Sequence, residues 1–274
     1  MIDFTELTEK SRLYNFHSHT QFCDGRFPMA DFVVAAVDGG FTHYGFSPHS
    51  PVPIESPCNM KRDDVPAYIA EYRRLKAEYE GRINLYRSME IDYLGDEWGP
   101  SNPYFDTLPL DYRIGSIHFL PTPSGRLVDV DGPADRFERY LHDYFDGDLR
   151  GVVNLYFDRT EAMLVAGSLD IIGHFDKILM NGESVDPALP TYGWYKERVR
   201  RVIRMIAGTG VTAEINTKSI ETRGRFSPDV SWWPMLKKSG IPVVVNSDAH
   251  YPALINAGRD KAFSLLDAID GAVD

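Results

Sequence analysis

Short apolar runs alternate with longer amphipathic stretches along the whole chain, and this alternation constrains the fold more than any other feature. Seven runs rich in β-branched, aromatic and leucine residues are predicted to be strands, at 13–16, 42–46, 83–91, 112–117, 169–172, 211–215 and 241–245. Helical periodicity falls between or after them, at 28–37, 65–79, 134–145, 150–166, 194–207, 230–238 and 257–269. Strands that alternate with helices indicate βαβ units and a parallel sheet.

The 274 residues are predicted to form a single α/β domain, 1–274. No Ser/Gly linker, low-complexity tract or charge block divides the chain, and 43% hydrophobic residues is an ordinary globular composition. An open doubly wound sheet and a barrel both fit the alternation of strands and helices. The positions of the polar residues decide between them.

The charge balance argues against some classes of binding partner. With 29 basic and 40 acidic residues the net charge is −11, which argues against nucleic acid and anionic membrane surfaces. No run approaches 18 apolar residues, and the acidic first residues lack the features of a signal peptide, so we expect a cytoplasmic protein without a membrane span. Two cysteines without a CxxC motif make a thiolate zinc site or a disulfide scaffold unexpected. The composition predicts no oligomeric state.

Six of the eight histidines lie at or just after the end of a predicted strand. His17 and His19 close the first strand with the i, i+2 spacing that directs both side chains to the same side. Acidic residues occur at the same kind of position: Asp24 in the first loop, Glu90 near the end of the third strand, and Asp248 after the seventh. The nine candidate metal ligands are His17, His19, Asp24, His49, Glu90, His118, His174, Asp248 and His250.

This repeated placement predicts a metal site at the C-terminal ends of the strands, where α/β barrels build their active sites. One zinc ion takes three or four protein ligands, so nine candidates fit two or three ions, with a carboxylate such as Glu90 as a bridge. Mixed imidazole and carboxylate ligands suit Zn, Fe or Mn better than Ca or Mg. The chain has neither a GxSxG motif nor a GxxxxGK[ST] motif, which excludes a nucleophile elbow and a P-loop.

These motifs, in this order, resemble the polymerase and histidinol phosphatase (PHP) family of metal-dependent phosphoesterases. The resemblance spans His17 to His250 and is greatest to the monofunctional histidinol-phosphatase branch. It depends on the opening Asn-Phe-His-Ser-His-Thr at 15–20, on Gly-Phe-Ser at 45–47 before His49, and on Glu-Ile-Asn-Thr at 214–217. Pro48 stands where this branch often has aspartate.

The resemblance implies a distorted, TIM-like (β/α)7 barrel with a trinuclear metal site. One ion would take His17, His19, Glu90 and Asp248. A second would share Glu90 and add His118 and His174, and the third would take Asp24, His49 and His250. The implied reaction is the hydrolysis of L-histidinol phosphate, a small-molecule phosphate ester, to L-histidinol and phosphate in histidine biosynthesis.

Our mechanistic hypothesis at this point is that a hydroxide bridging two ions attacks phosphorus in line. Asp248 and His250 are candidate proton donors to the leaving alkoxide. Arg159, Arg223 and Arg225 are candidate phosphate-binding residues, because a guanidinium offers phosphate a bidentate contact.

Two alternatives stay open. The first is a PHP phosphoesterase that acts on a nucleotide or sugar phosphate with the same metals. The second is a metal-stabilised binding or regulatory module without turnover. Every ligand position is filled and no partner domain is attached, which disfavours the second.

Overall fold

The apolar runs of the sequence form short parallel strands whose polar ends point the same way. The computed structural model describes residues 2–270. Its strands are β1 (Tyr14–Asn15), β2 (His43–Phe46), β3 (Asn84–Arg87), β4 (Glu90–Asp92), β5 (Ile114–Ser116), β6 (Phe119–Pro121), β7 (Leu127–Asp129), β8 (Ile171–Ile172), β9 (Thr212–Asn216) and β10 (Val243–Asn246).

Helices follow most of these strands, as the sequence predicts. They are α1 (Phe4–Lys10), α2 (Met29–Asp38), α3 (Val65–Glu78), α4 (Pro103–Asp106), α5 (Ala134–Phe145), α6 (Leu149–Ala166), α7 (Ile178–Val185), α8 (Gly193–Thr209), α9 (Ile220–Arg223), α10 (Trp233–Lys238) and α11 (Arg259–Asp270). The short elements α1, α4, α7 and α9 were not predicted, nor was the β6–β7 hairpin, because each has too few residues to show a clear period. None of the helices in the described part of the chain is long and apolar enough to cross a membrane.

The strands form two parallel sheets and one antiparallel hairpin. The first sheet has the order β1-β2-β3, the second β10-β9-β8-β5-β4, and β6 pairs with β7. Isolated parallel bridges join Ser18 to Ala249 and His49 to Glu90, and so link the two sheets near the polar strand ends. The α/β class with parallel sheets is confirmed. The predicted ring of seven strands is not one continuous ladder among residues 2–270, because the strands are too short to pair along every edge.

The predicted third strand, 83–91, is in fact two strands that belong to different sheets. β3 pairs with β2, and Ser88 still donates its N–H to Phe46 O at 2.8 Å. On the other edge of the same segment, Met89 O accepts from Ile114 N at 3.1 Å, and β4 pairs with β5. Glu90 therefore begins a strand instead of ending one. Its N–H still donates to Pro48 O at 3.1 Å, in the chain after β2, so Glu90 lies between the two sheets.

Two hydrophobic clusters stabilise the two sheets. The larger packs β5, β8, β9 and β10 against α5, α6, α8 and α10. The smaller packs β2 and β3 against α2 and α3, with Phe46, Tyr68 and Leu85 among its buried residues. The backbone is closely packed at Gly45 of β2, where an added Cβ would lie 2.1 Å from the Tyr112 hydroxyl oxygen. That hydroxyl donates to Phe16 O and so connects β1 to the segment before β5.

Arg259 is a fully buried arginine whose hydrogen bonds connect α11 to β10 and to the segment before β1. Its guanidinium donates to Val245 O at 3.1 Å and to Arg12 O at 3.0 Å. It also lies over the rings of Tyr14 and Phe41, 5.2 Å from each centroid. Burial lowers the pKa of Arg259 to about 10, so the group stays charged at neutral pH.

We expect Arg259→Leu to lower the free energy of unfolding by about 2–4 kcal/mol, because two buried carbonyl oxygens would lose their donors. Chemical denaturation measures this. The matched control is Arg62→Leu, since Arg62 also lies over aromatic rings, those of Trp98 and Tyr104, but is exposed. Equal stability of the two variants would contradict a structural role for the Arg259 hydrogen bonds.

Candidate metal centre

All nine predicted ligands lie together at the polar ends of the strands. Their donor atoms form overlapping groups in which every atom is within 4.8 Å of the others. The groups are His17, His19 and Asp248; Glu90, His118 and His174; His19, Asp24, His49 and His250; and His49, Asp92 and His118. The first three match the three predicted ligand sets closely, although His19 also joins the third set. Asp92 was not predicted as a member.

Glu90 lies at the centre of the cluster, and its two oxygens face different histidines. Oε2 is 3.3 Å from His17 Nε2 and 3.1 Å from His49 Nδ1. Oε1 is 2.9 Å from His174 Nε2 and 3.5 Å from His118 Nε2. Burial would raise the pKa of Glu90, but these imidazoles outweigh burial and hold it well below its usual value. Glu90 is therefore an ionised carboxylate with one oxygen available to each of two neighbouring sites.

Two further carboxylates orient His17 and His118 by contacting the ring nitrogen that faces away from the centre of the cluster. Glu214, fully buried in β9, is 2.7 Å from His17 Nδ1, and Asp92 is 2.8 Å from His118 Nδ1. A carboxylate on Nδ1 sets the tautomer and turns Nε2 of each ring towards the centre of the cluster. The sequence did contain a signal for Glu214, since a glutamate in an otherwise apolar or small-residue strand needs a buried partner.

The histidines do not share one protonation state. Burial lowers the pKa of His17, but Glu214, Glu90 and Asp248 outweigh burial and raise it well above the ordinary value. Burial also opposes the shift at His118, where Glu90 and Asp92 nevertheless raise the pKa to about 10. For His19, burial and the nearby imidazoles of His250 and His49 lower the pKa. Of the four imidazoles within 3.5 Å of Glu90, the pKa is raised at His17 and His118, whereas burial lowers the pKa of His49 and His174.

The buried donor atoms of the cluster fit divalent metal ions. Four buried atoms make no hydrogen bond of favourable geometry, although a carboxylate or imidazole atom lies 3.0–3.3 Å from each: His17 Nε2, His19 Nε2, His49 Nδ1 and Asp24 Oδ1. Buried polar atoms crowded together without well-directed hydrogen bonds are those that a bound cation would satisfy. Imidazole nitrogens mixed with carboxylate oxygens are the donors that Zn, Fe and Mn prefer.

Asp248 and His250, the predicted proton donors, face the cluster from the loop after β10. Asp248 is buried and has a left-handed backbone with φ of 48°, which aspartate tolerates better than most residues. Its Oδ1 is 3.0 Å from His19 Nε2. The His250 Nε2 atom is 3.3 Å from Asp24 Oδ1.

A cavity of about 810 Å³ opens onto this cluster through Asp24, His49, Asp92 and His118. The loop 54–59 lines it, and so do residues 125–129 and 131–133, which belong to the β6–β7 hairpin and the segment after it. Lys218, two residues after β9, also lines the cavity. The hairpin and Lys218 were not predicted as parts of the site.

The three predicted phosphate-binding arginines are not among the residues that line this cavity. Arg225 forms ion pairs with Glu183 and Asp229. Arg159 lies on α6, with Nη1 3.3 Å from where a Cβ on Gly95 would be.

Arg223 is exposed but has an indirect connection to the cavity. Its Nη1 donates to Asn181 Oδ1 at 3.2 Å. The Asn181 amide in turn donates to Val130 O and Gly132 O, each at 2.9 Å, in the segment that forms the cavity rim. A phosphate-binding role for the arginines stays a prediction.

Comparison with known proteins agrees with this geometry. A family model described as the PHP domain matches residues 15–218. The chain is 28% identical to a Deinococcus radiodurans protein named probable histidinol-phosphatase, covering 94% of this chain and 91% of the relative. It is 24% identical to Bacillus subtilis histidinol-phosphatase, covering 85% of this chain and 92% of the relative.

Solved structures share the fold. A crystal structure of Lactococcus lactis histidinol phosphate phosphatase, complexed with zinc, L-histidinol and phosphate, superposes with a TM-score of 0.70 at 19% identity and covers 93% of each chain. A Listeria monocytogenes structure, proposed to be a histidinol phosphatase, reaches a TM-score of 0.80 at 18% identity, covering 90% of this chain and 99% of the other. Since the family model matches well over half of its residues, the chain belongs to the PHP domain family.

Proposed function

We propose that this protein is a metal-dependent phosphomonoesterase that hydrolyses L-histidinol phosphate. The observation that carries the proposal is the convergence of nine predicted ligands in overlapping groups around the shared carboxylate of Glu90. Relatives that span nearly the whole chain are named histidinol-phosphatase. The Lactococcus lactis structure of the same fold holds zinc, L-histidinol and phosphate.

The residues of the cluster would have three roles: holding metal, orienting the ligands and donating a proton. Two or three Zn, Fe or Mn ions would be held by the three groups around His17, His118 and His49, with Glu90 shared between them. Bound divalent ions supply Lewis acidity to phosphoryl oxygens and make water nucleophilic near neutral pH. Glu214 and Asp92 hold His17 and His118 in orientation. Asp248 and His250 are the groups placed to give a proton to the departing alkoxide.

Most acidic residues that line the cavity are paired with groups of the protein itself. Asp24 and Asp92 face histidines of the cluster, and Asp129 and Asp131 form ion pairs with Arg136 and Lys177. The assignment of histidinol phosphate as the substrate therefore rests on the relatives named histidinol-phosphatase and on the Lactococcus lactis structure.

We also infer that the two sheets together make a distorted (β/α)7 barrel in one domain, in a cytoplasmic enzyme. The bridges Ser18–Ala249 and His49–Glu90 support the barrel, because the first joins the chain after β1 to the chain after β10 and the second joins the chain after β2 to β4. Counting β3 and β4 as one interrupted strand gives the seven positions of such a barrel.

A phosphate-release panel tests the function. We expect histidinol phosphate to give the highest kcat/KM among histidinol phosphate, a nucleoside monophosphate and a sugar phosphate, and we expect chelation of metal to abolish turnover. Preference for another ester would favour the other phosphoesterase, and no release from any ester would favour a non-catalytic module. Activity that survives complete metal removal would contradict every hydrolase version.

Glu90→Gln should lower kcat/KM by more than about 100-fold, because even residues that only support metal ligands are worth 10–100-fold. Glutamine keeps the volume but loses the charge between two sites, so dialysed protein should also retain fewer ions per chain by elemental analysis. Glu80→Gln, at an exposed position, is the matched control. A full complement of metal with normal turnover would exclude a bridging role for Glu90.

Metal binding should release protons, because the raised pKa values of His17 and His118 leave both imidazoles protonated in the metal-free protein. The affinity for zinc should therefore rise with pH through the neutral range and fall as the pH is lowered. Calorimetric titration of metal-free protein at pH 7, in two buffers of different ionisation enthalpy, counts the protons. We expect at least one proton per chain, and a count of zero would contradict the charge states assigned here.

A further inference from the structure

We propose that Lys218 is a phosphate-binding residue whose ammonium lies on the metal ligands in the metal-free protein and turns to the phosphoryl oxygens once metal displaces it. The proposal rests on the proposed function and deepens it. Lys218 would make the contact with the anionic end of the substrate, although it was not predicted as a site residue.

The charged atom of Lys218 lies within the ligand cluster. Nζ is 3.2 Å from Asp248 Oδ1 and 3.3 Å from His250 Nε2. The same Asp248 oxygen faces His19 Nε2 at 3.0 Å, and the same His250 nitrogen faces Asp24 Oδ1 at 3.3 Å. The ammonium therefore occupies lone pairs that two of the metal groups would use, and stands in for a cation there.

The backbone of Lys218 is held by hydrogen bonds, whereas its side chain is partly exposed to the cavity. Its N–H donates to Asn216 Oδ1 at 3.0 Å, and the preceding Thr217 N–H donates to Asn246 O at 2.9 Å. The side chain is 38% exposed and lines the cavity. A flexible four-carbon stem on a fixed base allows the ammonium to swing by a few ångströms.

Lys177 shows the contrasting case on the other side of Asp248. Its Nζ is 2.9 Å from Asp131 and 3.8 Å from Asp248 Oδ2, and its side chain is only 9% exposed. The buried pair with Asp131 holds Lys177 in place. Metal binding at Asp248 Oδ1 would leave that pair intact, so Lys177 is a positioning residue for Asp131 and Asp248.

The other cations in the cavity lining point elsewhere. Arg136 forms an ion pair with Asp129, and Arg126 donates to the Tyr144 hydroxyl at 3.1 Å. Among the cavity-lining residues, Lys218 is the cation whose charge reaches the cluster.

Competition between the Lys218 ammonium and metal ions lowers the affinity for metal and raises the affinity for phosphate. A lone pair cannot serve both cations, so Lys218 lowers metal affinity in the absence of substrate. Once displaced, its positive charge would remain in the same cavity as bound divalent ions, and a bound anion would relieve their mutual repulsion. Lys218 therefore strengthens phosphate binding to the metal-loaded protein.

The test compares Lys218→Met and Lys218→Arg with Lys261→Met, which removes the same charge from an exposed site on α11. Zinc affinity of metal-free protein is measured by competition with a chromophoric chelator. Affinity of zinc-loaded protein for inorganic phosphate is measured by calorimetry. Thermal unfolding confirms that the variants fold.

We expect Lys218→Met to bind zinc about 2–5-fold more tightly, the range for loss of one partly exposed ion pair. It should bind phosphate roughly 10–100-fold more weakly, the range for loss of a charged hydrogen bond. Lys218→Arg should retain part of the phosphate affinity, and Lys261→Met should match the wild type in both measurements.

Unchanged affinities in Lys218→Met would overturn the proposal, and so would weaker binding of zinc and phosphate together, which indicates a structural role. If Arg223→Ala loses phosphate affinity while Lys218→Met keeps it, the role belongs to Arg223. The role of Lys218 can be tested separately from the choice of substrate. If phosphate binding depends on Lys218 but the enzyme releases no phosphate from histidinol phosphate, the role of Lys218 is supported and the proposed function is contradicted.

Discussion

The site depends on one buried carboxylate, that of Glu90, and on the imidazoles that compensate its charge. An ionised carboxylate removed from water is unstable unless charged or hydrogen-bonding groups surround it. Here four histidines from four different loops lie within 3.5 Å of its two oxygens. Glu90 pairs with the chain after β2 on one edge and with β5 on the other, so the charge lies where the two sheets meet.

A second layer of carboxylates makes the histidine positions specific. Glu214 and Asp92 accept from the Nδ1 atoms of His17 and His118, and Glu214 also accepts from the His174 N–H at 3.1 Å. The pKa is raised at His17 and His118, each of which contacts two carboxylates, and burial lowers the pKa of His19, His49 and His174. Without metal, the protonated imidazoles and the Lys218 ammonium compensate part of the carboxylate charge.

Substrate binding depends on the cavity beside the metal groups. The cluster lies at its floor, and the loop 54–59 and the β6–β7 hairpin are its walls. The metal groups and Lys218 would face the phosphate of histidinol phosphate, and the loop 54–59 and the hairpin would enclose the rest of the molecule.

The sequence by itself determined the helix and strand alternation and the placement of nine candidate ligands at strand ends, because strand periodicity and strand ends are local properties of the chain. Tertiary structure decided the rest. The division of the third predicted strand into β3 and β4 depends on which strands pair beside it, and the Glu214–His17 contact joins residues 197 positions apart. The same limit of sequence-based prediction applies to Lys218, which lines the cavity but was not predicted, and to the arginines, which were predicted but do not line it. A basic residue after a strand carries no local sign of whether its charge turns into the cavity or out to a neighbouring carboxylate, because that depends on which loops fold beside it.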